Sequence, residues 1–152
     1  MRRGWLLGIV VALILGGCAG GRPVRLFPPG LSVAEIRLEP ERMVALLRLR
    51  SYATVPLRVS EVRGTLWLGD AQGIPIDLRP DLVVAANSTE PIELSFTPPT
   101  DLREQLRQRI EQRRVVDYRI EARVRSSDPV TRFDVEYRSS LAPAPGLPGV
   151  LR

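Results

Sequence analysis

The sequence predicts an all-β domain, an antiparallel immunoglobulin or fibronectin III-like β-sandwich that carries one short amphipathic helix. Three observations support this prediction. The 152 residues include 14 prolines and 12 glycines, which is too many for a helical bundle and suits a fold with many turns. Apolar and polar residues alternate in several short stretches, as expected for strands with one buried face. Turn-forming residues separate these stretches about every 8–12 residues.

The alternation predicts about seven strands. They are LSVAEIRL (31–38), RMVALLRLRSY (42–52), PLRVSEVRGTLWL (56–68), IPIDL (74–78), PIELSF (91–96), VVDYRIEARVRS (115–126) and VTRFDVEYRSSL (130–141). The first is expected to be irregular near Ala34, where the alternation breaks. Pro75 cannot donate a ladder hydrogen bond, which assigns its strand to a sheet edge. The stretch GDAQG (69–73) predicts a hairpin turn.

One segment, residues 101–113, follows a helical period instead. Leu102, Leu106 and Ile110 recur every four residues, which predicts an amphipathic helix of about three turns. Asp101 and Glu104 have the spacing of a capping box. Its arginines alternate with acids, and this favours a solvated face over a lipid or nucleic-acid surface. The pattern leaves open whether the helix packs on the sandwich or contacts a partner.

Composition excludes several kinds of chemistry. The chain has no histidine and one cysteine, so it can form neither a Ser-His-Asp triad nor an internal disulfide nor a His or Cys zinc cluster. No glycine-rich phosphate-binding motif occurs. The net charge is +5, but arginines alternate with acids instead of clustering, which argues against nucleic acid as a partner. We therefore expect no cofactor and no metal. An enzyme that uses carboxylates alone is the alternative, but a small sandwich offers no evident cleft for a carboxylate pair, so we expect no enzymatic activity.

The N-terminus has the architecture of a secretory signal. Two arginines precede the apolar residues 5–15, and small residues follow around Cys18. The stretch LGGC, Leu15 to Cys18, resembles the lipobox of bacterial lipoproteins. That resemblance implies a signal peptide at residues 1–17, cleavage before Cys18 and a diacylglyceryl group on the Cys18 thiol. Two or more acyl chains anchor a protein stably to a membrane. An uncleaved anchor helix is the alternative.

The flanks of the domain are rich in proline and glycine. Residues 18–30 are expected to hold the lipidated Cys18 and a flexible tether that lifts the domain off the membrane. Ala19 follows the cysteine where inner-membrane lipoproteins of enteric bacteria tend to have aspartate, so the resemblance implies an outer-membrane location facing the periplasm. Residues 142–152 are expected to form a mobile, proline-rich C-terminal tail.

Residues 31–141 resemble the late embryogenesis abundant type 2 (LEA type 2, or WHy) domain. Four stretches carry the resemblance: LSVAEIRLE, LRLRSYATVPLRVSEVRGTLWLGD, NSTEPIELSFTPP and VDYRIEARVRSSDPVTRFDVEYRSSL. Ser51 to Thr54 stand where members of that family usually carry an Asn-Pro-Asn turn, which is a departure from its pattern. The resemblance implies a folded sandwich, no catalytic residues and an association with desiccation and stress.

The expected function is that of a non-catalytic envelope lipoprotein whose domain binds a partner or has a structural role. The membrane is contacted through the covalent lipid on Cys18, and the further partner is an envelope protein or a lipid. A lipid-binding or lipid-transport accessory lipoprotein is the alternative, since a two-sheet sandwich can open to hold an acyl chain. Trp67 is a candidate exposed apolar residue. Alternation places it opposite Leu66 and Leu68 but does not say which face is buried.

Overall fold

The computed structural model describes residues 23–152, so the predicted signal peptide and Cys18 lie outside the described residues. Two antiparallel sheets pack face to face, with strand orders β6-β2-β1-β9 and β4-β3-β7-β8, and β5 also pairs with β3. The strands are β1 (Gly30–Leu38), β2 (Met43–Arg50), β3 (Leu57–Leu68), β4 (Ile74–Leu78), β5 (Leu82–Val84), β6 (Thr89–Phe96), β7 (Val116–Asp128), β8 (Val130–Leu141) and β9 (Val150–Leu151). One helix, α1 (Thr100–Glu111), separates β6 from β7. Within residues 23–152, no helix has the length and apolar character needed to cross a membrane.

The all-β sandwich is confirmed. The inward side chains of both sheets form one hydrophobic core, in which Ile36, Leu47, Leu66 and Ile120 are fully buried. The alternation of apolar and polar residues thus explains the strands, because every second residue of a strand enters the shared apolar core.

Several local predictions are also confirmed. The register of β1 against β2 shifts between Val33 and Glu35, at the expected irregularity. The strand that contains Pro75, β4, lies at an edge of its sheet, and residues 69–73 connect β3 and β4 as a hairpin. The two strands that the alternation did not predict, β5 and β9, have only three and two residues. Such short pairings carry too few residues to show a period of two.

The helix packs on the sandwich, which answers the question that its pattern left open. Leu102 and Leu106 are buried in the core, and the Arg103 guanidinium donates hydrogen bonds of 2.6 and 2.9 Å to the carbonyls of Glu39 and Pro40. The predicted capping box is wrong, because the N-cap is Pro99 and no side chain caps the helix. Glu104 accepts hydrogen bonds from Arg107 and Gln108 instead.

The prediction of a mobile tail at residues 142–152 is also wrong. The tail folds back on itself, with the amide of Arg152 donating to the carbonyl of Ala142 at 2.8 Å, and its last strand pairs with β1. Leu151 is completely buried, and Arg152 forms an ion pair of 2.7 Å with Glu35. Backbone pairing and a buried leucine thus hold a segment whose composition suggested disorder.

The predicted tether is shorter than expected. Residues 23–29 have no regular secondary structure, but they lie against the connection between β2 and β3. The amide of Thr54 donates to the carbonyl of Arg25 at 3.0 Å, the amide of Arg25 donates to the Thr54 hydroxyl at 2.9 Å, and that hydroxyl donates to the carbonyl of Pro23 at 3.1 Å. Pro29 is buried. Only residues 19–22 separate Cys18 from this attached segment.

The sandwich has two distinct ends. The N-terminal end consists of residues 23–29, the connection 51–56, strand β5 and the turn between β7 and β8, because Gly30 pairs with Arg50 and Arg58 pairs with both Val83 and Asp128. The distal end consists of α1, the turn 69–73 and the tail, where Leu68 pairs with Tyr118. Arg58 and Trp67 are nine residues apart on β3, which corresponds to about 30 Å along the strand.

Candidate functional site

A broad depression lies at the distal end, on the outer face of the five-stranded sheet. It opens widely to solvent and has a volume of about 740 Å³. Its floor comes from three neighbouring strands, because Trp67 of β3 pairs with Arg119 of β7, which in turn pairs with Arg138 of β8. Asp70 in the β3–β4 turn and Asp117 at the start of β7 form part of the rim. We call this site the Trp67 depression.

Trp67 and Arg119 form the centre of this site. Leu66 and Leu68 are buried, so alternation turns the Trp67 indole to the outer face, where it is partly exposed. The Arg119 guanidinium lies over the indole, 4.1 Å from the ring centroid, in a cation–π contact. A second contact of Arg119 is an ion pair of 2.9 Å with Glu121. Both side chains are therefore held in place before any partner binds.

Gly73 completes the support for the indole. A Cβ built on Gly73 would lie 2.9 Å from Nε1 and 3.2 Å from Cε2 of Trp67. Cγ2 of Thr65 would lie closer still, so any larger residue at this position would force Thr65 or the indole to shift. The turn is anchored next to it by the amide of Gly69, which donates to the carbonyl of Asp117 at 2.7 Å.

The chemistry of the depression suits recognition of a surface. The Arg138 guanidinium forms an ion pair of 2.7 Å with Glu136. The hydroxyl-bearing residues Ser139 and Ser140 follow Arg138 on the rim. The site thus combines an aromatic ring, two guanidinium groups and two carboxylates. Tryptophan and arginine are the residue types that most often dominate binding energy at protein interfaces. A wide opening suits a protruding partner better than an enclosed small molecule.

The predicted site residues separate into two groups. The structure answers the question about Trp67, which faces outward, whereas Cys18 lies outside the described residues. The sequence does not distinguish Arg119 and Arg138 from the other arginines of the alternating strands. Only the register, which aligns both with Trp67, distinguishes them.

The space between the two sheets is occupied by side chains. The inward residues Val33, Leu49, Val62 and Val124 are at most 6% exposed and belong to the same core cluster. Among residues 23–152, no three metal-ligating side chains group together.

The comparisons with known proteins inform the fold alone. No protein-family model and no curated protein sequence matches this chain. Among solved structures, it is similar to the solution structure of AT1g01470 from Arabidopsis thaliana, with a TM-score of 0.52 and 12% identity over 82% of this chain and 85% of that one. This shared fold is compatible with the LEA-like domain predicted from the sequence.

Two further crystal structures match less well. The first is a protein from Archaeoglobus fulgidus, with a TM-score of 0.41 and 17% identity, covering 78% of this chain and 97% of that one. The second is the ApaA protein from Bordetella pertussis, with a TM-score of 0.44 and 13% identity, covering 81% of this chain and all of that one (100%).

Proposed function

We propose that this chain is a lipid-anchored, non-catalytic lipoprotein of the bacterial cell envelope, in which an LEA type 2-like sandwich binds a partner protein at the Trp67 depression. The anchor is a lipid on Cys18, and the location is the outer membrane, facing the periplasm. A role in desiccation or other stress belongs to the same proposal and rests on the resemblance to the LEA type 2 family. The observation that carries the proposal is the position of the depression relative to the N-terminal segment.

The N-terminal segment leaves the sandwich at the end opposite the Trp67 depression. Residues 23–25 are hydrogen-bonded to Thr54 at the N-terminal end, and Trp67 lies about 30 Å further along β3. A lipid on Cys18, five residues before Pro23, holds the N-terminal end within about 18 Å of the bilayer. The depression then lies at the end remote from the membrane, where it is accessible to other envelope proteins.

The first experiment tests the anchor. We expect Cys18→Ser to leave the precursor uncleaved or to release the protein from the membrane fraction, because only a thiol can form the thioether to diacylglycerol. Fractionation, followed by mass spectrometry of the N-terminal peptide, measures this. A Cys18→Ser protein that is fully processed and remains bound to the membrane would contradict the anchor.

The second experiment tests the binding surface in cells. A photo-crosslinking amino acid is placed at Ala71, on the rim of the depression, in the full-length protein. We expect a discrete protein adduct that is lost in Arg119→Ala, because this substitution removes the cation–π contact and the charge beside Trp67. The matched control is Arg132→Ala, on the outer face of β8 near the N-terminal end, and it should retain the adduct. Loss or retention of the adduct in both variants alike would contradict the site.

A lipid-carrier role is the alternative function, and it makes a different prediction. Native mass spectrometry of the gently extracted protein would then show a stoichiometric lipid in addition to the anchor. In that case the crosslinker at Ala71 should give no discrete protein adduct, since the cargo would lie elsewhere.

A further inference from the structure

The N-terminal end of the sandwich exposes apolar side chains next to the segment that leads to Cys18. Eight large apolar side chains are exposed among the described residues, and five of them lie at this end: Val24 (62%), Phe27 (46%), Tyr52 (44%), Val83 (47%) and Val130 (87%). They come from four separate parts of the chain that the fold brings to one end. We call these five side chains the apolar rim.

The common position of these residues follows from the register. Val83 pairs with Arg58, which also pairs with Asp128 at the turn before Val130. The connection 51–56, which contains Tyr52, holds residues 23–25 through Thr54. The apolar rim is therefore a property of the whole end of the sandwich, and not of a single loop.

Arginines accompany the apolar rim. The Arg50 guanidinium lies 5.2 Å from the ring centroid of Tyr52, and Arg25 lies between Val24 and Phe27 in the chain. Within residues 23–152, neither of these two guanidinium groups forms an ion pair. Apolar and aromatic side chains flanked by arginines are typical of the interface between lipid tails and phosphate headgroups.

From these observations we infer that the apolar rim is a second, non-covalent membrane contact, which seats the N-terminal end of the domain on the phospholipid headgroup layer. This inference rests on the proposed lipid anchor at Cys18. Four residues, 19–22, separate Cys18 from Pro23, a span of at most about 18 Å from residue 18 to residue 23. An anchor that short keeps the rim close to the bilayer at a high local concentration.

The seated domain differs from the tethered domain expected from the sequence. A flexible tether over residues 18–30 would let the domain rotate freely, whereas residues 23–29 are attached to it. Contact through the apolar rim holds the long axis of the sandwich upright on the membrane surface. The Trp67 depression is then held about 30 Å from the surface, and a partner meets it in one orientation.

The experiment uses the full-length, lipidated protein and its lack of other thiols. Cys18 is the only cysteine, so after lipidation an introduced cysteine is the single reactive thiol. Val130→Cys at the N-terminal end and Val115→Cys at the distal end, 87% and 52% exposed, are each labelled with an environment-sensitive fluorophore. Mass spectrometry verifies one label per chain. The proteins are reconstituted in vesicles of phosphatidylethanolamine and phosphatidylglycerol, with or without a lipid that carries a nitroxide on its headgroup.

The expected result is a difference between the two labels. Headgroup nitroxide should quench the label at residue 130 at least about twofold more than the label at residue 115, because interfacial side chains lie within about 10 Å of the headgroups. Adding Phe27→Asp and Val83→Asp to Val130→Cys should reduce this difference without releasing the protein from the vesicles. Equal quenching of the two labels on vesicle-bound protein overturns the seating and leaves the anchor intact.

Two other outcomes are separated by the same samples. Protein that fails to float with the vesicles, and whose Cys18 takes up label, contradicts the anchor and with it the seating. If the rim instead joins two copies of the chain, the label at residue 130 crosslinks or self-quenches in detergent without lipid. That outcome also overturns the inference.

Discussion

The two ends of the sandwich differ in what covers their apolar side chains. At the distal end, α1 and the tail cover the core, and Leu102, Leu106 and Leu151 are at most 2% exposed. At the N-terminal end, short connections cross between strands, and Val130 and Val83 point outward. The strands of a sandwich cover its middle, whereas its ends depend on the connecting segments. In this chain the long connections are at one end, and the uncovered end is the one beside residue 23.

The largest expected effect on stability tests whether α1 covers the core at the distal end. Leu106→Ala should lower the free energy of unfolding by about 2–5 kcal/mol, because it removes a buried leucine and leaves a cavity beneath α1. Val130→Ala, at the uncovered end, should change it by no more than about 0.5 kcal/mol. Equilibrium denaturant unfolding of both variants measures the difference. Similar losses in the two variants would abolish the contrast between the ends.

The sequence predicts which face of a strand a side chain lies on, but it does not predict how deeply that side chain is buried. The alternation in β7 is confirmed, since Val116, Ile120 and Val124 are buried. The same alternation in β8 gives a different result, because Phe133 is half-buried and Tyr137 is 44% exposed. The reason is position: β7 is a central strand with a neighbour on each side, whereas β8 is the edge of its sheet. Alternation carries no information about position in a sheet.

The candidate site is harder to predict from the sequence than the fold. The alternation identifies Trp67 as a candidate but does not fix the face on which it lies, which follows from the burial of Leu66 and Leu68. The apolar rim brings Val24 and Val130 to one end through pairings between distant strands, and local patterns do not encode such pairings. Backbone hydrogen bonds likewise fix the tail, where proline and glycine suggested mobility.

A smaller effect tests whether the tail belongs to the distal cover. Leu151→Ala should cost about 2 kcal/mol, toward the lower end for a buried leucine, because a strand of two residues can shift to fill part of the cavity. The matched control is Leu147→Ala in the same tail, where the side chain is 43% exposed and the cost should be close to zero. Thermal unfolding of both variants measures this. Equal stability of both variants would show that the tail does not contribute to the cover.

The smallest effect concerns the hydrogen bonds that join Tyr118 of one sheet to Val33 of the other. The Tyr118 hydroxyl of β7 accepts a hydrogen bond of 3.2 Å from the amide of Val33 in β1, and it lies 3.5 Å from the carbonyl of the same residue. Burial raises the pKa of the Tyr118 hydroxyl above its ordinary value of 10.0, although the hydrogen bond to Val33 lowers it in part. Tyr118→Phe removes the hydrogen bond to the amide of Val33, so it should lower the free energy of unfolding by about 1 kcal/mol at neutral pH.

The pH dependence of stability distinguishes this link from simple packing. Above pH 10.0 the unfolded chain loses the Tyr118 proton while the folded chain still holds it, so stability should fall as pH rises from there to the raised pKa. Below that range Tyr118 is protonated in both states and contributes no slope. Tyr118→Phe should reduce the alkaline decline. Tyr137→Phe, whose ring centroid lies 6.2 Å away, should reduce it less, because burial raises the pKa of Tyr118 more than the charge of Tyr137 does. An unchanged slope in Tyr118→Phe, measured by denaturant unfolding between pH 7 and 11, would show that this hydroxyl ionises equally in the folded and unfolded chains.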